Sequence, residues 1–278
     1  MRIGGELKQP YHDPEEWVRL VKGMTYSAVT APVDCHAPAD VRAAYKRAAK
    51  ENDIVIGEVG IWKNCLSLDE AERKAAMEYS KEQLAFAEEL EAGCCVNVAG
   101  NRGGFWCGCS EHSYTEETYT MIVDMVREII DAVKPKKTFF TLEPMPWMVP
   151  DSPEQYLKLL KDVDRAAFGV HLDITNLIYT PKNYCNAYAF IKTCFELLGP
   201  YIKSVHAKDI VLEDGYSVVF REVVPGTGSL DYTRILPYIE ALGPDTTMFT
   251  EHLPDLASYQ QAVKYMRECA EKTGIVIK

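Results

Sequence analysis

"GVHLDITN", residues 169–176, is the stretch on which the fold turns. With Phe168 before it, it begins as an apolar strand, carries His171 inside the run and ends on a bare carboxylate, Asp173. An unpaired buried charge costs several kcal/mol, on the scale of a whole domain's net stability. An apolar run that finishes on an acid therefore has something for that acid to face.

The same arrangement recurs along the chain. Apolar, β-branched runs fall at RIGGEL (2–7), YSAVTAP (26–32), DIVIGEVG (53–60), CCVNVAG (94–100), TFFTLEP (138–144), AFGVHLD (167–173), IKSVHAKD (202–209) and TMFTEHL (247–253). Amphipathic helical patterns lie between them. Asp13-Pro14 starts one with an N-cap and a proline at the first helical position. Ser67 with Glu70 starts a long one that ends at Gly93. Residues 183–200 and 230–244 read as two more, each closed by Gly-Pro. Alternation of this kind reads as parallel βαβ units of the α/β class. Eight units in 278 residues fit a closed (β/α)8 TIM barrel better than an open doubly wound sheet. With no linker or composition break, residues 1–278 are expected to form one barrel domain. One insertion, near 210–229, places Asp214-Gly215 between apolar runs and predicts a small hairpin.

Composition narrows the function. A net charge of −11 argues against nucleic acid, whose binding rests on a basic face, and against anionic membranes. No apolar stretch approaches the ~20 residues of a membrane span, and the N-terminus lacks a signal-peptide core. The nine cysteines are odd in number and show no CxxC pair, which reads as reduced thiols in a cytoplasmic protein. The WCGC stretch (106–109) reads as a Gly-rich loop rather than a soft-metal site.

In such a barrel the chemistry sits at the C-terminal ends of the strands. There the sequence puts Glu143 on strand five, Asp173 on strand six, His206 on strand seven and Glu251 on strand eight. Each has an ordinary reading when taken alone. Asp173 caps the next helix, Glu143 belongs to a loop, and His206 is a satisfied core histidine. Four at the same depth on successive strands favour a shared divalent ion, because a bare cluster of three carboxylates would repel itself. Hard oxygens with one imidazole suit Mn²⁺ or Mg²⁺, with Co²⁺ or Zn²⁺ compatible.

LEPMPW (142–147), VHLDITN (170–176), SVHAKD (204–209), VPGTGSLDY (224–232) and TEHLP (250–254) together resemble the sugar isomerase/epimerase superfamily, the xylose isomerase-like barrels. The resemblance covers the C-terminal half well and the N-terminal half mainly in rhythm. It implies a Mn²⁺-type ion on Glu143, Asp173, His206 and Glu251, with Glu143 and Glu251 also catalytic, exchanging a proton at the carbon beside a substrate carbonyl. It implies self-association as well. Many relatives carry His three residues after the strand-six Asp, and here that position is Asn176.

The remaining candidates are substrate contacts. Asn176 and Lys208 stand beside the ligands. Asn97 and Arg102 are expected at the mouth after strand four, and Trp62 and Trp147 as rings for a sugar or aglycone. His171 shares a face with Asp173 and is expected beneath the ion. His252 and His112 read as surface residues. The expected function is a metal-dependent isomerase or 3-epimerase of a sugar, keto-sugar or cyclitol. The alternative is a lyase or dehydratase that cleaves a 3-oxo glycoside or inosose by β-elimination, with a partner subunit as an option. A non-catalytic sugar-binding subunit is the third reading, and the intact ligand set speaks against it.

Overall fold

The computed structural model describes residues 1–278. All eight expected strands form, each shorter than its apolar run. They are β1 (Arg2–Gly5), β2 (Ala28–Thr30), β3 (Val55–Gly60), β4 (Cys94–Asn97), β5 (Phe140–Leu142), β6 (Phe168–Asp173) and β7 (Ile202–His206); then, after a hairpin of β8 (Asp209–Leu212) and β9 (Phe220–Val223), comes β10 (Thr247–Thr250). The barrel strands pair in parallel in the order β1-β10-β7-β6-β5-β4-β3-β2. The ring shuts between β1 and β2, where Ser27 N donates to Ile3 O at 2.9 Å and Ile3 N donates to Ser27 Oγ at 3.3 Å. This is an α/β TIM barrel.

Two glycines in β1 and β3 make room for the barrel floor. A Cβ on Gly4 would lie 2.6 Å from Phe249 Cε1, and one on Gly57 2.8 Å from the same ring. The Phe249 side chain from β10 thus fills the space beneath the mouth, and glycine in a strand interior marks the close approach.

The helices largely follow their sequence signals. Asp13 accepts from Glu16 N at 2.8 Å, ahead of the helix Pro14–Gly23. The long helix departs from expectation at both ends. Its cap is Asp69, not Ser67, because the Asp69 carboxylate reaches two free amides, Ala71 N and Glu72 N. Ser67 instead accepts from Asp69 N at 3.1 Å. The helix, Glu70–Leu90, ends on Glu91 in the left-handed region, before Gly93. Gly93 serves a packing contact, since a Cβ there would meet Gly57 O at 2.8 Å. Residues 183–200 do not form one helix: Pro181–Cys185 and Ala187–Leu198 break at Asn186. Residues 230–244 hold only the short helix Leu236–Glu240. A one-turn helix, Ile174–Leu177, follows β6 directly. No helix is long and apolar enough to cross a membrane.

The hairpin forms where Asp214-Gly215 announced it, but as a wider loop than a two-residue turn, with Glu213 N donating to Val219 O at 2.9 Å.

Candidate metal centre at the barrel mouth

Glu143 follows β5, Asp173 ends β6, His206 ends β7 and Glu251 follows β10. Strand register sets their common depth, with Asp173 opposite His206 on β7 and His206 opposite Phe249, two residues before Glu251. One ligand atom from each of the four lies within 4.8 Å of the others. His206 Nδ1 is 2.8 Å from Glu251 Oε1, 3.3 Å from Glu143 Oε1 and 3.7 Å from Asp173 Oδ2.

Asp173 answers both of its sequence readings. Its Oδ1 caps the following turn, accepting from Thr175 N at 2.9 Å and Asn176 N at 3.0 Å. Its Oδ2 faces the cluster. Asp173 Oδ2, His206 Nδ1 and Glu251 Oε1 are buried and make no aligned hydrogen bond. Buried polar atoms are nearly always satisfied. Three orphaned electron-pair donors beside a fourth carboxylate oxygen could hold a divalent cation. The residues present fit the ion.

Lys208, 2% exposed, sends its ammonium into the same spot. Nζ lies 2.6 Å from Glu251 Oε1, 2.8 Å from Asp173 Oδ2 and 3.4 Å from Glu222 Oε1. It approaches the first two as ion pairs, off the line of a hydrogen bond. Asn176 bridges the group: Nδ2 donates to Glu143 Oε1 at 3.1 Å, and Oδ1 accepts from Lys208 Nζ at 3.4 Å.

The charges divide the two glutamates. Burial lifts the Glu143 carboxyl to about 7, against the pull of His206. Burial would lift Glu251 also, but His206 and Lys208 outweigh it and hold it well below the usual carboxylate range. Lys208 does the same for Asp173 against its burial. Burial works to lower His206, and Glu251 and Glu58 outweigh it and raise the imidazole above its ordinary value.

Beneath the cluster lies a layer in which His171 was expected and Glu58 was not. His171 is fully buried, and its ring meets that of His206 edge-on, centroids 4.0 Å apart. Burial lowers its ordinary value to about 4, so it is neutral. Glu58, on β3 and 2% exposed, lies 3.4 Å from His206 Nε2 and 3.4 Å from His171 Nδ1, and accepts from Ser204 Oγ. An acid inside the buried run IVIGEVG is the same signal that Asp173 gave, and it is the one by which Glu58 can be found.

The other expected contacts divide. Trp62 is 41% exposed and lines a cleft of about 720 Å³ that opens above Glu143, His206 and Glu251. Asn97 does not reach that cleft. It is fully buried, and its amide is consumed by Lys63, accepting from N at 3.1 Å and donating to O at 3.0 Å. Arg102 pairs with Glu117 at 2.8 Å and with Thr118, on the outer helix rather than at the ion. Trp147 is half-buried with an unpartnered indole N–H and stands outside the cleft wall, where Trp106 takes the place expected of it. His252 is exposed as expected, yet it belongs to the rim, bonding Glu222 at 2.9 Å.

Residues 12–269 match the model of the family described as xylose isomerase-like TIM barrel. No curated protein sequence matches the chain. Among solved structures, a 3-keto-D-glucoside 4-epimerase from E. coli in its apo form is similar with a TM-score of 0.72 and 16% identity, over 97% of this chain and all of its own. A D-psicose 3-epimerase from Clostridium cellulolyticum H10 with D-tagatose gives 0.69 and 14%, over 99% and 98%. A barrel protein from Mycobacterium smegmatis in complex with magnesium gives 0.69 and 14%, over 97% and 92%. At such identities the likeness is one of fold.

Proposed function

The chain belongs to the xylose isomerase-like TIM barrel family, and on that premise we propose a divalent-metal-dependent isomerase or 3-epimerase of a sugar, keto-sugar or cyclitol, working by proton transfer beside a carbonyl through an enediolate. The observation that carries the reading is the meeting of Glu143, Asp173, His206 and Glu251, three of whose contributing atoms lack hydrogen-bond partners. Glu143, Asp173, His206 and Glu251 would hold the ion, Mn²⁺ in preference to Mg²⁺, Co²⁺ or Zn²⁺, which would supply Lewis-acid polarisation of the carbonyl and neutralise charge developing on its oxygen. Two relatives of the same fold are named for epimerising keto-sugars or keto-glucosides, which supports the substrate class.

This chain's own residues do the rest. Glu251, held ionised, takes the proton from carbon on its own side of the substrate. Glu143, with its carboxyl near 7, holds the proton that returns to the opposite face, and the two roles exchange in the reverse direction. Asn176 fixes the Glu143 oxygen that faces the cluster and offers its amide to a hydroxyl, though it cannot shuttle a proton as an imidazole would. Lys208 donates to a substrate oxygen, and the Trp62 ring gives a face to stack on.

A lyase is favoured by one observation. The Lys208 ammonium stands 2.6 Å from Glu251, so a proton donor is at hand for a departing β substituent. The two chemistries separate on product mass: unchanged for isomerisation, reduced by a water or a leaving group for elimination. Glu143→Gln is expected to lower turnover about 10²–10⁴-fold. In D₂O, deuterium enters the substrate at the carbon beside the carbonyl. Turnover without deuterium uptake contradicts proton transfer.

A further inference from the structure

The 720 Å³ cleft above the cluster is one of two hollows that meet there. A second, of about 340 Å³, opens between the β8–β9 hairpin and the segment after β10. Both are bordered by Glu251, His252 and Leu253, so the two are lobes of one site joined at the second carboxylate. Lys208 is the floor of the smaller lobe and belongs at the same time to the ligand cluster. We infer that the smaller lobe is a subsite for a second sugar ring, linked to the reacting one, so that the substrate is a keto-disaccharide or similar glycoside rather than a free monosaccharide. The inference rests on the reading of the cluster given above.

The chemistry of the lobe selects its occupant. Glu222 accepts, Thr227, Lys208 and Arg221 donate, and His252 does either. Charges of both signs alternate over a small space, with Glu222 already shared between Lys208 at 3.4 Å and His252 at 2.9 Å. An anionic group would meet the Glu222 and Glu251 carboxylates, and the Arg221 guanidinium is already paired with Glu213 at 2.7 Å. An apolar group would strand the polar atoms unpaired. A neutral ring carrying hydroxyls, each both donor and acceptor, satisfies donors and acceptors together. Val224, Leu253 and Pro254 supply an apolar wall for the C–H face of such a ring.

The size agrees. At about 340 Å³ the lobe sits at the lower end of the range for small-ligand pockets, roughly 300–1,000 Å³. The larger lobe, with Trp62, Trp106 and Tyr259 on its walls, holds the reacting ring at the cluster end with room above it.

The test is calorimetric binding to the Mn²⁺-loaded wild-type protein of two probes, D-fructose and maltulose, the second being the same ketose carrying a glucose ring. The inference expects the two-ring probe to bind at least tenfold more tightly. It further expects the ratio of the two affinities to fall at least fivefold in Val224→Phe, which fills the lobe. Glu222→Ala, which removes the shared acceptor without adding bulk, lowers the ratio in the same direction and stands in if the larger side chain prevents folding. Equal binding of the two probes by wild type, or a ratio unchanged in both variants, overturns the second subsite and leaves the reading of the cluster intact. Binding of neither probe overturns the keto-sugar reading of the site and the subsite with it.

Discussion

At the scale of single residues, the site depends on where lone pairs point. His206 can serve the cluster through Nδ1 only while Nε2 keeps its proton, and the Glu58 carboxylate 3.4 Å away holds it there. Removing the outer partner of a metal-binding imidazole typically costs 10–100-fold in metal affinity. Glu58→Ala should therefore weaken Mn²⁺ binding about 10–100-fold, read by competition with a chelating dye. An unchanged affinity would reduce Glu58 to packing. The four ligand candidates were legible because each ends an apolar run on a polar residue, and strand ends sit at one depth. Glu58 carried the same signal but lies inside its strand, where a period of two decides which face it takes. Asn97 and Arg102 were read as mouth residues because Asn97 ends β4 and Arg102 follows it. A side chain's partner is not written in its neighbours, and the partners of these two, Lys63 and Glu117, come from other segments of the chain.

At the scale of elements, the hairpin matters most, since it walls one side of the site. Asp209 at its base is fully buried and accepts from four backbone amides: Ile210, Leu230 and Gly228 at 2.9 Å and Gly226 at 3.0 Å. This one carboxylate fastens the returning loop, and a Cβ on Gly228 would collide with it at 2.3 Å. Asp209→Ala leaves those amides without a partner and should cost about 2–4 kcal/mol, measured by urea unfolding. A loss within experimental error would mean that the loop holds itself. Strand positions could be read from the sequence because a parallel barrel buries both faces and leaves nearly continuous apolar runs. Helix ends were less legible. Ser67 and Asp69 are both good caps two residues apart, and the one that reaches two free amides won. The break at Asn186 left no signal as strong as a proline or glycine.

At the scale of the whole molecule, the barrel must join its first strand to its last. Arg2, on β1 and 4% exposed, bonds Asp245 before β10 at 2.8 Å, and Asp53 before β3 at 2.6 Å. Its neighbour Ile3 makes the β1–β2 seam. The hydrogen bonds of Arg2 hold both carboxyls below their ordinary values. Groups so shifted contribute stability above the unfolded value, about 3.9, and lose it as pH falls through the lower folded values. Arg2→Met should therefore flatten the fall in stability below about pH 4, followed by thermal unfolding across pH. An acid limb identical to wild type would remove these pairs from the barrel's closure.

The divalent centre is measured directly by calorimetric titration of metal-stripped protein with Mn²⁺, for wild type and for Asp173→Asn. Wild type is expected to take one ion per chain, the variant to bind at least a hundredfold more weakly, and activity to return with the bound ion. Full activity in metal-free wild type, or Mn²⁺ binding equal in the two proteins, would contradict such a centre.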